Sequence, residues 1–416
     1  MTCYLNAVLQ SLLGQRAFSS ALLSCEDLVE SSGGEELFNV FIKVARDKAN
    51  GQQDLVRHSL FQLRRSLRQI VPKFDDASMQ DAHEFLVKFF EILGDTLKEN
   101  RDTIKTCPFS QIFEFEMSEL KECLNCHHTT SKLKTEWLLR LDMPLLSTTE
   151  NVSIQMLAAK TLQSTMEMRC TNCNCDNQFS VLEKFSKLPP ILIVYLPRSL
   201  FMNQNQKSKK NRSLILTDLV LKLPDLVTSN VDCSKFSHQT MELKSTSEKP
   251  KPKFGLDCSL TPERKPKPGN MSDKDINSMS EEEQLRLAMQ KSLCESSQID
   301  EEENLQLAKA MEESMKESGF IPDTNDAIDI PLDCTATASG DYDYQLTATV
   351  CHVNRSSTSV EVGHYIADVY NKDHRQWFRY NDMRVTSADT KKVVQQSSYD
   401  GVLCFYTHRN FILQSA

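Results

Sequence analysis

The chain has no run of about 18 apolar residues, the length a helix needs to cross a bilayer, so no membrane span is expected. Nor does its first segment resemble the apolar core of a secretory signal peptide. A basic excess is missing too: Lys plus Arg total 48 against 57 Asp plus Glu, a formal net charge of −9. That balance argues against a nucleic-acid partner, which would require a basic face. The expected compartment is reducing, nucleus or cytoplasm, and there the 14 cysteines bind metal or do chemistry rather than form disulfides. At 416 residues the chain has room for two or three domains, or for one large domain carrying insertions.

Residues 1–100 read mostly as helix. Leu5, Val8, Leu9 and Leu12 recur at helical spacing, and a second amphipathic run covers about Glu35 to Lys48. A third, from Asp81 to Leu97, sets Phe85, Leu86, Phe89, Phe90 and Leu93 on one side. From Ile112 the pattern turns to short alternating runs, including Phe113 to Glu116 and Trp137 to Leu141. Leu188 to Leu196 reads as a buried strand led in by prolines, and Ser213–Leu216 and Leu219–Leu221 read as one or two more. Between about 229 and 341 the composition shifts to Ser, Lys, Glu, Asp and Pro, which cannot bury a core. Strand-like sequence resumes at Tyr344 and runs to Tyr406. One catalytic domain is therefore expected in two parts, 1–228 and 342–416, split by an insertion at 229–341. Basic clusters at Lys207–Arg212 and Lys249–Lys253 read as solvated loop charge ahead of a nuclear address.

Two boxes at opposite ends carry the chemistry. Cys3 opens a helix, where exposed amides and the helix dipole favour the thiolate. His364 lies in a strand-like run some 360 residues later, and a fold that joins the two gives a nucleophile with its base. His364 to Tyr370 alternates, Asn371 to Gln376 is a polar turn, and Trp377 to Met383 alternates again. Folded as a hairpin, this puts Asn381 diagonally beside His364, able to accept the imidazole N–H, and a one-residue slip gives that task to Asp382. The expectation is a cysteine hydrolase. Separately, Cys123-x-x-Cys126 and Cys170-x-x-Cys173 form two hooks that match a tetrahedral structural zinc site, with His127 and Cys175 as neighbouring substitutes. Such a closed Zn²⁺ site does no chemistry.

Thr2-Cys3-Tyr4-Leu5-Asn6-Ala7-Val8-Leu9-Gln10-Ser11-Leu12 resembles the cysteine box of the ubiquitin-specific proteases. Gly363-His364-Tyr365, with Trp377 and Tyr380-Asn381-Asp382, resembles their histidine box. Gln80 to Leu86 is similar to an internal helix motif of that family, and Leu188 to Leu196 to its Leu-Pro strand. The resemblance implies an α+β, papain-like fold with a helical thumb, a β-sheet palm and zinc-ribbon-like fingers. It implies hydrolysis after the terminal glycine of ubiquitin, with ubiquitin, polyubiquitin chains and ubiquitinated proteins as partners. Asp81 and Glu84 would line the channel for the ubiquitin tail and meet its arginines, and Gly363 and Tyr365 would line the same channel.

Departures from the family pattern set a second expectation. Met1 stands where relatives carry an asparagine before the threonine, and the upstream asparagine of their oxyanion hole has no counterpart. Loss of one such donor costs about 10²–10³ in turnover. The expectation is a shortened N-terminal part, and the alternative is a weak or silent ubiquitin-chain-binding protein. Pro197 and Asn354 also depart from the family's usual residues.

Two segments inside the insertion repeat. Leu285, Ala288, Ser292 and Glu295 recur as Leu307, Ala310, Ser314 and Glu317, each set led by an acidic run and lying on one helical stripe. Both resemble ubiquitin-interacting motifs, expected as helices near 280–296 and 301–318.

Overall fold

A computed structural model describes residues 2–232 and 342–414, apart from positions 26, 29–32, 75–79, 105, 145–151, 202–207, 212, 355–362 and 383. The repeated helices at 280–296 and 301–318, with Leu285, Ala288, Ser292, Leu307, Ala310 and Ser314, lie outside the described residues, as does the basic cluster at 249–253. None of the described helices is long and apolar enough to cross a membrane.

Six helices build the first layer: α1 (Cys3–Leu13), α2 (Arg16–Leu23), α3 (Gly33–Ala49), α4 (Gln53–Ile70), α5 (Ala82–Glu99) and α6 (Pro108–Ile112). α1 is apolar on nearly every side, and Tyr4, Leu5, Ala7, Val8, Leu9 and Leu12 are all buried. A helix of that composition belongs between two layers rather than on a surface. The aromatic stripe expected on α5 is the centre of this layer. Phe89 meets Phe41 of α3 edge-on at 5.0 Å between ring centroids, and Phe90 meets Phe109 of α6 at 5.1 Å.

Beyond α6 the chain forms a long, mainly antiparallel sheet, to which Val227–Asp232 adds in parallel. β1 (Phe115–Cys123) lies between β2 (Thr129–Glu136) and β4 (Asp176–Lys187), and β3 (Gln163–Arg169) covers the other edge of β4. The second sheet holds strands from both sides of positions 233–341. Its path runs β9-β8-β7-β6-β10-β5, with β5 (Ile191–Tyr195), β6 (Asp343–Asn354), β7 (Gly363–Asn371), β8 (Gln376–Asn381), β9 (Arg384–Ala388) and β10 (Gly401–His408); the short strand Leu139–Arg140 adds in parallel beyond β5, and Val220–Lys222 pairs with the start of β6. β5, read from sequence as the buried strand, pairs antiparallel with β10 and is buried at all five residues. It ends at Tyr195, so Pro197 removes no ladder donor.

One lysine of a cluster read as solvated charge is not solvated. Lys210 is buried, and its ammonium donates to the carbonyl of His352 and pairs with Asp400. Arg198 is buried beside it and donates to the carbonyls of Gly401, Ser213 and Ser398 at 2.7–2.8 Å. A charge is tolerated inside only when fully partnered, and these two staple strand segments that were far apart in sequence.

Candidate active site

α1 packs across β7, and this contact brings the two ends of the chain together. Cys3 is the first residue of α1, and no side chain caps the helix there, so the positive end of the helix opens on the thiol. Burial pushes the Cys3 thiol up, but a hydrogen bond with His364, another with the Tyr365 backbone and the imidazole's charge bring it below its ordinary value. His364 is displaced the opposite way. Its hydrogen bond with Cys3 raises it, burial opposes, and Asn381 and the charge of Asp382 raise it further. Both shifts favour a thiolate beside an imidazolium.

The hairpin forms in the register its turn predicts, with Tyr370 opposite Trp377 and Ala367 opposite Tyr380. His364 Nε2–H donates to Asn381 Oδ1 at 2.6 Å, which leaves Nδ1 for the thiol. The Asp382 carboxylate lies farther from Nε2, at 3.7 Å, and Asp382 has a positive φ of 51°. The choice that sequence left open between the two is thus a difference of about one ångström in reach.

The other site residues have partners of their own. Asp81 caps α5, its Oδ1 accepting from the backbone N–H of His83 at 2.8 Å and of Glu84 at 3.0 Å. Its second oxygen accepts from the Tyr365 hydroxyl at 3.4 Å, so the cap also ties α5 to the strand carrying His364. Glu84 is exposed and paired with Lys73 at 2.6 Å. Tyr365 is buried with its ring against His352, 4.6 Å between centroids. Gly363 has no room for a side chain, since a Cβ there would sit 1.9 Å from His352 Nε2. Burial, together with the nearby Lys210 ammonium, lowers His352 to about 4, so this second imidazole is neutral.

A family model described as ubiquitin carboxyl-terminal hydrolase matches residues 1–406. The chain belongs to this family. It is 27% identical to ubiquitin carboxyl-terminal hydrolase 29 of Mus musculus over 47% of the chain, and 23% identical to hydrolase 37 of Gallus gallus over 48%. Hydrolase 47 of Drosophila melanogaster is 22% identical over 95% of the chain. The chain spans 24%, 23% and 22% of the length of these three relatives. Among solved structures, a chain of the SAGA Ubp8/Sgf11/Sus1/Sgf73 DUB module bound to ubiquitin aldehyde superposes with a TM-score of 0.59 at 15% identity, covering 98% of this chain and 68% of that one. The likeness establishes the shared fold, α+β.

In this member of the family the cysteine hooks lie where β1 ends and where β4 begins. The sulfurs of Cys123, Cys126, Cys170 and Cys173 all lie within 4.8 Å of one another, and Cys126 and Cys170 are 3.6 Å apart. Tetrahedral zinc thiolates, with bonds of about 2.3 Å, put sulfurs roughly 3.8 Å apart, so the donor set fits a structural zinc ion. The two hooks have the same backbone form. The N–H of His127 bonds to the carbonyl of Cys123, and that of Asn174 to Cys170, both residues having φ of 55°. Side-chain amides of Asn125, Asn172 and Asn177 point at the sulfurs, as partners for thiolates should. His127 instead holds Glu122 at 2.7 Å, and the exposed Cys175 thiol turns to the Cys173 carbonyl.

Two contributors escaped the sequence reading. His83 stacks face to face on Tyr195 at 3.6 Å, joining the start of α5 to the end of β5. Asn6, quoted in the cysteine box without a role, donates from its side chain to the Asp382 carbonyl at 3.1 Å. Its place one helical turn after Cys3, on the same face, was the available signal.

Proposed function

We propose that this chain is a deubiquitinating cysteine protease, cleaving the bond after the C-terminal glycine of ubiquitin in conjugates and polyubiquitin chains. The observation that carries the reading is the arrangement of Cys3, His364 and Asn381: a thiol at a helix N-terminus, hydrogen-bonded to an imidazole whose other nitrogen donates to a carboxamide at 2.6 Å. The Cys3 thiolate attacks the glycine carbonyl, and the backbone N–H of Cys3 is the donor closest in sequence to the developing oxyanion. Imidazolium His364 gives its proton to the leaving amine as the C–N bond breaks, leaving a thioester. Neutral His364 then takes a proton from water, whose hydroxide attacks the thioester, and the thiolate leaves with its charge restored beside the imidazolium. Asn381 keeps the ring in the required orientation, and Asp382 adds charge at longer range.

Asp81, Glu84, Gly363 and Tyr365 are assigned to the channel for the ubiquitin tail, with Gly363 allowing close backbone approach. The domain is read as two parts, 1–228 and 342–416, around an insertion at 229–341. Leu285, Ala288 and Ser292, with Leu307, Ala310 and Ser314, would engage further ubiquitins of a chain, in nucleus or cytoplasm. The structural zinc would pin the hooks that close the finger sheet and supplies no step of the reaction.

The test is release of a fluorophore from the C-terminal amide of ubiquitin by the full chain, beside Cys3→Ala. Cysteine-dependent turnover is expected. Ubiquitin binding without turnover would overturn the reading in favour of a ubiquitin-chain receptor.

A further inference from the structure

Lys48, at the last turn of α3, reaches the strand that carries Asn381 directly and through α1. Its ammonium lies over the ring of Tyr380, 5.5 Å from the centroid. It also donates to Gln10 Oε1 at 2.6 Å. From there Gln10 Nε2 donates to Asn6 Oδ1 at 3.4 Å, and Asn6 Nδ2 donates to the Asp382 carbonyl at 3.1 Å. We infer that Lys48 is a positioning residue for the His364–Asn381 pair, acting through this Gln10–Asn6 chain on the backbone of Asp382. The inference rests on the cysteine-hydrolase reading of the site.

The two ends of the chain fix its direction. An ammonium can only donate and a carbonyl can only accept. Each carboxamide between them must therefore turn its oxygen toward Lys48 and its nitrogen toward Asp382. Reversing either amide would break two bonds at once. The chain matters at its far end because Asp382 is in the left-handed region, where a non-glycine residue persists only if its surroundings hold it. Tyr380 is held by the cation and Asp382 by the chain, so Asn381 is anchored on both flanks. A basic residue in the last turn of a helix also suits the helix dipole, and that simpler role would need neither Gln10 nor Asn6.

The experiment separates the roles. Using the full chain, the rate of Cys3 alkylation by chloroacetamide is followed against pH through the mass of the Cys3 peptide, with turnover of the ubiquitin amide measured in parallel. Lys48→Met is expected to raise the midpoint for the Cys3 thiolate by about one pH unit, because a misaligned imidazolium stabilises the thiolate less. Gln10→Glu keeps the size and the Lys48 contact but cannot donate to Asn6, and is expected to raise the midpoint equally, even if Lys48→Met fails to fold. Lys48→Arg restores it. In an Asn381→Ala background, Lys48→Met should add less than about 0.3 unit, the mark of residues acting on one element. Parental midpoints for Lys48→Met and Gln10→Glu, or a shift that adds to that of Asn381→Ala, would overturn the proposal. Alkylation reads the site whether or not ubiquitin is cleaved. A chain that shows these shifts without turnover therefore sinks the hydrolase reading and keeps the positioning one.

Discussion

Asn381 and Asp382 are neighbours of different chemistry, and their distances to His364 Nε2, 2.6 and 3.7 Å, rank them. Asn381→Ala removes the acceptor that fixes the ring, so kcat on a ubiquitin amide is expected to fall about 100-fold with little change in KM. Asp382→Ala removes charge at long range, and a loss of about fivefold or less is expected. Equal losses would show that the pair acts as a unit. The pH profile follows from the two opposed shifts at Cys3 and His364. The reactive form needs Cys3 deprotonated and His364 protonated, and the thiol lies below its ordinary value while the imidazole lies above its own. Activity should rise as pH climbs through the lowered thiol pKa and fall as pH climbs through the raised imidazole pKa. Kcat/KM against pH gives both limbs, and Asn381→Ala should bring the alkaline limb to lower pH. Alternation and turn position alone narrowed the partner of His364 to Asn381 or Asp382, because a two-residue period and a short polar turn leave few registers. Lys210 was misread for the opposite reason: a lysine in a basic run looks solvated until Asp400, 190 positions away, is known to face it.

The same contrast holds for whole elements. α1, α5 and β5 were readable because their apolar residues are dense and regular. α4 was not read, since its 18 residues include four arginines and only Leu63 and Leu67 among its apolar side chains are fully buried. Two helices beside the sheets escaped, Ile154–Thr161 because it is short and Thr390–Asp400 because Val393 is its only buried apolar side chain. Each begins at a side-chain cap, Ser153 and Asp389 respectively, a start signal legible only once an apolar stripe follows it. The finger sheet was legible only through its hooks. β2 is exposed or half-buried along its length, so packing supplies little of what holds it. Metal removal should therefore be felt there first. Purified protein is expected to carry one zinc, and Cys126→Ser to carry none by elemental analysis. That variant should expose the β1–β2 amides to hydrogen exchange while those of α5 remain protected. Retained zinc with unchanged exchange would remove the hooks from the structural account.

At the scale of the molecule, the sheet that holds the site draws Leu139–Arg140, β5 and Val220–Lys222 from one side of positions 233–341 and β6 to β10 from the other. Lys222 pairs directly with Asp343, so the two parts of the chain are already in register where they meet. This arrangement makes the long intervening segment separable from the chemistry in a way its position in the sequence does not suggest. Loop-closure entropy grows only slowly with length, so shortening that connection changes folding free energy by about 1 kcal/mol, in the stabilising direction. Deleting residues 242–333 should thus leave melting within a few degrees of the parent and turnover of a single-ubiquitin amide within about threefold. Affinity for tetraubiquitin is the quantity that the proposed ubiquitin-interacting motifs predict to change, because binding sites tethered to the domain would raise the effective concentration of ubiquitin for each other and for Cys3. A drop of about tenfold or more is expected on a Cys3→Ala background, with no change for monoubiquitin delivered to the catalytic site. The combination is diagnostic. Loss of both activities together would mean the segment holds the sheet, and unchanged chain affinity would mean the Leu, Ala and Ser stripe does not bind ubiquitin at all.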